Sequence, residues 1–419
     1  MKPDNLYYNI DDLHFVKGEG VYVTDIAGNK YIDCCAGTFN LSLGYNNNKI
    51  LNAVHEQLKY AVHFSSSYCN DPLIKFVNRL AMLTPKELKL IHPKVCSGSV
   101  ANEGAIRMAQ KYTQKSDIIS WFRSHLGQTI AMTNLSGNSF RRKSFPNSQH
   151  FALHVPDPYC HRCFYRQKPE TCAFLCVERI NDFILYASSG NIACMIVEPI
   201  TGNGGNVIPP KGYFRQLKKL CDENDIILIF DEIQTGIGRT GYLFASEYFE
   251  IVPDIMTLAK GLGGIGFQIA AIVAKDKFQG LETYEHSFTY GANLLGMTAA
   301  EKTLEIVSDP NFLDNVKKIG GYIIETLKKI KKTTPIISDI RGLGLMIGVE
   351  ISDSDGNPDV NITNRIVKLA RNKYKLLLRT SMYGRGNVIK IRPSLNISQS
   401  DSEEMCNRLI KLFDEFNTY

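Results

Sequence analysis

A strand–helix–strand pattern in the middle of the chain restricts its possible folds more than any other feature. The apolar run "IACMIVEP" (192–199) is followed by the helix-like "GYFRQLKKLCDEND" (212–225) and the apolar run "IILIF" (226–230). Apolar runs of this length are typical of strands buried on both faces. Two such strands joined by a helix form a βαβ unit, which requires a parallel sheet and a right-handed crossover. The pattern therefore predicts an α/β protein with a doubly wound, mainly parallel sheet.

The pattern changes after about residue 300, where a second and smaller unit begins. The helix-like segment 312–332 precedes the strand-like "LGLMIGVEI" (343–351), and a helix, a strand and a final helix follow. We predict a large domain over 51–304 and a smaller α/β C-terminal domain over 305–419. Residues 1–50 are expected to pack with the small domain, and segment 156–180 is read as an insertion in the large domain.

Composition and charge favour a soluble enzyme or binding protein of the cytoplasm. The net charge is only +6 over 419 residues, and the one dense basic cluster, 328–332, ends a helix-like segment. Cations are favoured at helix C-termini, so we expect no nucleic-acid partner. The N-terminus lacks a signal-peptide core, and no apolar window reaches membrane-spanning length, so no membrane is expected either. Eleven cysteines without a secretion signal indicate reduced thiols and a cytoplasmic location.

Two residues with complementary chemistry follow strand-like runs in this region. Asp231 directly follows the apolar run 226–230. Lys260 follows a short apolar run and precedes a Gly-rich turn. Ligands of doubly wound sheets bind beyond the carboxyl ends of the strands, so both side chains can reach one crevice. An acid and a desolvated amine suit pyridoxal phosphate, whose ring nitrogen and aldehyde they would bind. Asp231 would keep the ring nitrogen protonated, and Lys260 would hold the aldehyde as a Schiff base.

The sequence contains a candidate phosphate-binding turn and a competing dinucleotide motif. In "VCSGSVANEGA", Gly98 and Ser99 open a helix whose N-terminal amides favour a dianion. Gly261, Gly263 and Gly266 spell the dinucleotide motif G-x-G-x-x-G. The strand-like "FQIAAIVA" follows that motif where a helix is required, so we reject a dinucleotide site.

Long ordered motifs resemble the class III, or ω-, aminotransferases, which are fold-type I pyridoxal-phosphate enzymes. The motifs are 229–266, "CSGSVANEGA" and "SFTYGANLLGMTAAEKTLEIV", within a resemblance that extends from "AGTFNLSLGY" to "IRPSLNIS". The resemblance implies that Lys260 is both the Schiff-base lysine and the acid–base group for the proton shift. It also implies that Asp231 pairs with the ring nitrogen and that Gln234 hydrogen-bonds the ring 3-hydroxyl.

The resemblance implies further cofactor contacts and a shared active site. Gly98 and Ser99 would bind the phosphate, and Thr289 in "SFTYG" would reach the phosphate of a partner subunit. The implied assembly is a homodimer. Glu198 in "VEPITG" would support the site without touching the cofactor.

Several residues depart from the family pattern on the substrate side. In "SHLGQT", His125 takes the place of the aromatic residue that stacks on the cofactor ring, and Gln128 replaces an arginine that binds the substrate's α-carboxylate. Asn203 stands where ornithine-type members have a glutamate, and in "VIKIRPSL" Lys390 replaces an arginine, with Arg392 two residues later. A neutral amide cannot reproduce the two parallel bonds of a guanidinium to a carboxylate. We predict an acceptor that is an aldehyde or ketone other than a simple α-keto acid, with Gln128, Lys390 and Arg392 as substrate contacts.

The insertion carries four cysteines within seventeen residues, namely Cys160, Cys163, Cys172 and Cys176. They can hold zinc or an iron–sulfur cluster, but the second pair's spacing is not typical of a zinc ribbon. We predict no metal site, and the alternative is that these four thiols bind a metal. The segment resembles aminoglycoside-pathway transaminases, which aminate an oxidised sugar carbon with glutamate as donor. That resemblance suggests a role in antibiotic biosynthesis.

Other activities use the same scaffold. Amino-acid racemases and epimerases return the proton to the other face of Cα, whereas transaminases deliver it to the cofactor. No motif separates the two activities, although Gln128 argues against an α-carboxylate anchor. Ornithine or ω-amino-acid transamination and decarboxylation also remain open. A non-enzymatic binding role is disfavoured because the acid, the amine and the phosphate turn are all intact.

Overall fold

The computed structural model describes residues 11–137, 139–143, 152–381 and 386–417. The strands, in chain order, are β1 (Phe15–Glu19), β2 (Tyr22–Asp25), β3 (Lys30–Asp33), β4 (Leu88–Val95), β5 (Asp117–Trp121), β6 (Ala152–Val155), β7 (Ile192–Val197), β8 (Ile227–Asp231), β9 (Ile255–Leu258), β10 (Ala270–Lys275), β11 (Ile337–Leu343), β12 (Met346–Ile351), β13 (Leu376–Leu377), β14 (Arg379–Thr380) and β15 (Val388–Ile391).

The helices surround these strands. In chain order they are α1 (Ala36–Phe39), α2 (Asn48–Leu58), α3 (Asp71–Leu83), α4 (Gly98–Thr113), α5 (Ile130–Leu135), α6 (Ser139–Arg142), α7 (Leu175–Glu178), α8 (Ile180–Ala187), α9 (Tyr213–Glu223), α10 (Ala245–Tyr248), α11 (Leu294–Val307), α12 (Pro310–Lys331), α13 (Val360–Asn372) and α14 (Gln399–Asp414). No helix in the described ranges is both long enough and apolar enough to span a membrane.

A seven-stranded sheet forms the centre of the molecule. Its order is β4-β10-β9-β8-β7-β5-β6. The strands from β9 to β6 are parallel, whereas β10 runs antiparallel to both of its neighbours. The predicted βαβ unit is confirmed as β7-α9-β8. Every residue of β7 and β8 is buried, which explains their continuous apolar runs.

Two smaller sheets lie outside the central one. The sheet β11-β12-β15-β14 belongs to the C-terminal third, where it packs against α12, α13 and α14 around a separate apolar core. The other sheet, β1-β2-β3-β13, joins both ends of the chain, because β3 pairs in parallel with β13. The N-terminal segment is therefore held by the C-terminal unit through backbone hydrogen bonds.

A buried ionic cluster joins the cysteine-rich insertion to the C-terminal unit. Glu350 on β12 accepts a hydrogen bond from Arg341 on β11 at 2.8 Å. It also accepts hydrogen bonds from Tyr159 and Arg162, both in the insertion. Burial alone would raise the pKa of Glu350, but the charge of Arg341 and the hydrogen bonds from Tyr159 and Arg162 lower it to about 2. The carboxylate therefore stays ionised at neutral pH and connects the two units.

Candidate active site

A cavity of about 300 Å³ opens at the carboxyl ends of β8 and β9 and at the first turn of α4. Because these parallel strands end at the same edge of the sheet, residues far apart in sequence meet there. The cavity lining includes six residues predicted to bind the cofactor, namely Gly98, Ser99, His125, Asp231, Gln234 and Lys260.

Asp231 is buried at the end of β8. Its carboxylate accepts hydrogen bonds from the Ile233 amide at 3.0 Å and from Asn102 Nδ2 at 2.7 Å. Burial raises the pKa of Asp231 to about 6, against the opposing influence of Lys260 and Asn102. A protonated ring nitrogen at this position would supply the positive charge that a buried carboxylate needs.

Asn102 is a site residue that the sequence analysis missed. It is fully buried on α4, and it accepts a hydrogen bond from Thr257 Oγ1 at 2.7 Å and donates one to the Leu126 carbonyl at 2.8 Å. These contacts fix its amide so that Nδ2 faces Asp231. An asparagine among the apolar positions of "SVANEGAIRMA" was the available signal.

Glu232, the second acid at the end of β8, has a different function. It accepts hydrogen bonds from the amides of Ala245 and Ser246 and from the Thr235 hydroxyl, at 2.8–2.9 Å. These donors surround the start of α10. Glu232 therefore stabilises the backbone that follows the strand and takes no part in the cavity.

Lys260 also lines the cavity. It begins a short 3₁₀ helix, Lys260–Gly263, and has a φ of +45°, which is unusual for a residue with a side chain. Burial lowers the pKa of the Lys260 amine, although Asp231 and Glu198 oppose that change. Among the described residues that line this cavity it is the single lysine, and it is therefore the available amine nucleophile.

Glu198 connects two loops of the site. Its carboxylate accepts hydrogen bonds from the His125 amide at 2.8 Å and from the Gly202 amide at 3.0 Å. Burial and the nearby Asp231 carboxylate raise the pKa of Glu198 to about 8. The predicted supporting position of Glu198 is consistent with these contacts.

The first turn of α4 provides an anion-binding site. Ser97 caps the helix by accepting a hydrogen bond from the Val100 amide, and no acidic residue lies in the first turn. Ser99 Oγ accepts a hydrogen bond from the Gln128 amide at 3.1 Å. A Cβ atom at Gly127 would lie 2.4 Å from Ser99 Oγ, so this close approach requires glycine. Backbone N–H groups and the helix dipole favour a phosphate here.

These residues fit pyridoxal 5′-phosphate. Lys260 would hold the aldehyde carbon, Asp231 would face the ring nitrogen, and Gly98 and Ser99 would bind the phosphate. When bound, the cofactor supplies an electron sink that stabilises negative charge on the substrate carbon. The arrangement of acid, amine and helix N-terminus matches the three functional groups of this molecule.

A second cavity, of about 540 Å³, adjoins the first and shares His125, Gln234 and Lys260 with it. Its lining also includes predicted substrate contacts and residues that the sequence analysis missed, namely Phe39, Gln128, Asn203, Arg379 and Lys390. Phe39 and Arg379 come from α1 and β14, whose positions depend on packing between distant segments.

Lys390 faces an amide. Its Nζ lies 3.3 Å from Asn203 Oδ1. Burial and the neighbouring Arg392 charge lower the pKa of Lys390. Lys390 and Asn203, each of which departs from the family pattern, are therefore in contact.

Arg392 lies behind the cavity wall. Its side chain is 1% exposed, and Nη1 donates to Gln234 Oε1 at 2.6 Å. The ring of Phe39 covers the guanidinium, with its centroid 3.3 Å from Cζ. The structure therefore places Arg392 in contact with Gln234 and Phe39, and not among the residues that line the substrate cavity.

Two other predicted features lie away from the cavity. Thr289 is exposed in a turn and is not among the residues that line the cavity. Cys160, Cys163, Cys172 and Cys176 line one small cavity as free thiols. Within the described ranges no group of three or more His, Cys, Asp or Glu side chains is arranged to hold a metal ion.

Comparison with known proteins identifies the family. Residues 7–413 match the model of the family described as aminotransferase class-III. The chain is 33% identical to the leucine/methionine racemase of Thermococcus litoralis, over 94% of this chain and 89% of that protein. It is 34% identical to the acetylornithine aminotransferase of Methanothermobacter thermautotrophicus, over 92% of this chain and 89% of that protein. A Bacillus anthracis aminotransferase structure superposes with a TM-score of 0.89 at 28% identity, covering 96% of this chain and 93% of that one.

The fold, the Lys260–Asp231 arrangement and these similarities lead to one assignment. The predicted fold type I is confirmed, and so is the predicted cofactor. The chain belongs to the class III aminotransferase family of pyridoxal-phosphate enzymes.

Proposed function

We propose that this enzyme transfers an amino group from glutamate to an aldehyde or ketone that lacks an α-carboxylate. One observation carries the proposal: the substrate cavity has neutral amides, Gln128 and Asn203, at the two positions where the ornithine-type pattern has an arginine and a glutamate. Gln128 cannot form a bidentate charged pair with an α-carboxylate. Asn203 engages Lys390 as a neutral acceptor.

The charge of the substrate cavity supports glutamate as the donor. Apart from Lys260, its described lining includes the cations Arg379 and Lys390 and no carboxylate. Cations in a partly desolvated cavity favour an anionic ligand, and the side-chain carboxylate of glutamate supplies a negative charge that does not depend on an α-carboxylate anchor. The same described lining offers no carboxylate to pair with ammonium groups, so it favours a neutral carbonyl acceptor over a polycation.

The reaction requires proton transfer next to Lys260. With the cofactor bound, Lys260 Nζ would be the available base that holds and moves the proton of the substrate carbon. Asp231 would hold the proton of the ring nitrogen. His125 lines both cavities, and we propose that its imidazole would pack against the cofactor ring.

An oxidised sugar is the specific acceptor that we propose to test first. The resemblance of the cysteine-rich insertion suggests a 6′-oxo aminosugar converted to its 6′-amino form during aminoglycoside antibiotic biosynthesis. Because the described cavity lining contains no carboxylate, we expect sugars with few amino groups to react fastest. Purified enzyme would be incubated with glutamate and a series of oxo sugars that differ only in amino-group number, and 2-oxoglutarate would be measured.

Lys260→Ala serves as the control in that assay. Formation of 2-oxoglutarate that depends on both the oxo sugar and Lys260 would support the proposal. Efficient turnover of ornithine or 4-aminobutyrate, with no reaction of any sugar, would instead identify an ω-amino-acid aminotransferase.

Racemisation is the second candidate, because the leucine/methionine racemase and a Pyrococcus horikoshii alanine/serine racemase are each 33% identical to this chain. A racemase retains the amino group on its substrate. Incubation with single enantiomers of leucine, methionine, alanine and serine, followed by chiral chromatography, would detect it. Appearance of the opposite enantiomer without any keto acid would favour this candidate over transamination.

We also propose that the enzyme is a homodimer in which Thr289 reaches the partner's phosphate site. Thr289 lies beside Tyr290, which is 69% exposed and whose ring is 6.1 Å from that of His63. Exposed aromatic side chains in one region indicate an interface. Light scattering should give twice the chain mass of 47.1 kDa. Tyr290→Asp should lower that mass, whereas Tyr322→Asp, on the exposed side of α12, should not.

A further inference from the structure

The contact between Arg392 and Gln234 fixes the orientation of an amide in the cofactor cavity. A guanidinium has N–H donors and no acceptor, so the Gln234 atom that lies 2.6 Å from Arg392 Nη1 must be the carbonyl oxygen Oε1. The Nε2 amide group must then point elsewhere. It has no hydrogen-bond partner in the part of the chain that the structure describes, and Gln234 lines the cavity beside Asp231 and Lys260.

Gly202 holds the same amide from a second side. A Cβ atom at position 202 would lie 2.4 Å from Gln234 Oε1 and 3.0 Å from Nε2, so the backbone packs directly on the amide. The Gly202 amide in turn donates to Glu198 at 3.0 Å, which fixes that backbone. The Gln234 amide is therefore held by the hydrogen bond from Arg392 on one side and by packing against the Gly202 backbone on another.

The surroundings of Arg392 keep its charge effective. Its Nε and Nη2 atoms are buried and have no hydrogen-bond partner among the described residues. Phe39 lies across the guanidinium, so water does not screen it. Among the described residues Arg392 forms no salt bridge, and its one hydrogen bond to a side chain is the bond to Gln234.

We propose that Arg392 is a positioning residue for the cofactor: it holds Gln234 so that Nε2 donates to the ring 3-oxygen and favours the ionised form of that oxygen. Asp231 at the ring nitrogen and the Arg392–Gln234 pair at the 3-oxygen would then polarise the ring from two sides. This inference rests on the cofactor and not on the proposed acceptor.

The test is a pH titration of the visible absorption band of the cofactor-loaded enzyme, without substrate. A nearby cation disfavours protonation of the lysine–cofactor linkage, so Arg392→Met should raise the titration midpoint by about one pH unit or more. Gln234→Ala should also raise it, because the donor to the 3-oxygen is lost. If Arg392 acts through Gln234, the double variant should show a shift no larger than the greater single shift.

Lys390→Met is the matched control, since Lys390 is a buried basic residue two positions before Arg392 that contacts Asn203 instead of Gln234. Any change in titration midpoint caused by Lys390→Met should add to the change caused by Gln234→Ala. An unchanged midpoint in Arg392→Met, or a full shift that persists in the Gln234→Ala background, would overturn the proposal. If Arg392→Met does not fold, Arg392→Lys is combined with Gln234→Ala instead. Arg392→Lys should then raise the titration midpoint by a smaller amount, and this shift should again not add to that of Gln234→Ala. Glutamate is added only afterwards, so a failure of the proposed donor is seen separately.

Discussion

Glu350→Gln should lower the stability of the protein by an amount that depends on pH. The pKa of Glu350 falls from an ordinary 4.5 to about 2 in the folded chain. At pH 7 this difference corresponds to about 3 kcal/mol of stability. With an unfolding entropy proportional to chain length, the loss lowers Tm by about 4 °C for a chain of this size. The substitution removes the charge while leaving Arg162 and Arg341 in place, so the loss falls on the contact between the insertion and the C-terminal unit.

The pH dependence has a defined sign. A carboxylate with a lowered folded-state pKa stabilises the protein above its unfolded pKa, and that stability is lost as the pH falls from about 4.5 toward 2. The difference in Tm between Glu350→Gln and the parent protein should therefore be largest at pH 7 and shrink to less than half by pH 3. Differential scanning fluorimetry across this range measures it.

A matched control separates this effect from the loss of any acid. Glu325 is an exposed glutamate on α12 that pairs only with the exposed Lys328 among the described residues. Glu325→Gln should leave Tm unchanged at all pH values. Equal Tm values for Glu350→Gln and the parent protein, or a difference that does not shrink in acid, would show that Glu350 is not an ionised centre of this cluster.

Three further predictions concern the active site. Lys260→Ala should lose turnover and should retain no covalently bound cofactor after borohydride reduction. Lys275→Ala, on β10, should keep its turnover and its covalently bound cofactor. Mass spectrometry of the reduced chain measures the bound cofactor. Because burial raises the pKa of Asp231 to about 6, its charge destabilises the cofactor-free protein as the pH rises from about 4 to 6. Asp231→Asn should therefore raise the Tm of the cofactor-free protein at pH 7, with no gain at pH 4, while abolishing activity. Gly202→Ala should displace the Gln234 amide and raise the midpoint of the visible titration as Gln234→Ala does; an unchanged midpoint would contradict the packing described.

The central sheet and the meeting of Asp231 with Lys260 could be predicted because both depend on local pattern. Strands buried on two faces are continuous apolar runs, and the ends of parallel strands lie at one edge. The carboxylate and the amine follow such runs directly. The Gly98–Ser99 turn was predictable for the same reason, since a helix start has a local signature.

Residues supplied by distant segments could not be placed from the sequence. Phe39 and Arg379 line the substrate cavity only because the N-terminal and C-terminal segments pack together. Arg392 was predicted as a substrate contact, but it does not line the substrate cavity. Its place depends on Phe39, which comes from a distant segment and lies over the guanidinium. No local pattern marks Glu350, because its environment depends on packing: β12 is buried throughout, and the two arginines that compensate its charge come from two units.

The parallel pairing of β3 with β13 has a consequence for synthesis of the enzyme. Residues 30–33 leave the ribosome early, but their partner strand, residues 376–377, is made near the end of the chain. Contacts between residues so far apart in sequence form late and slowly. Phe39, which follows β3 closely, therefore cannot take its place over Arg392 until residues 376–392 have been made. A ribosome stalled before residue 376 would carry the central sheet with an unfinished substrate cavity.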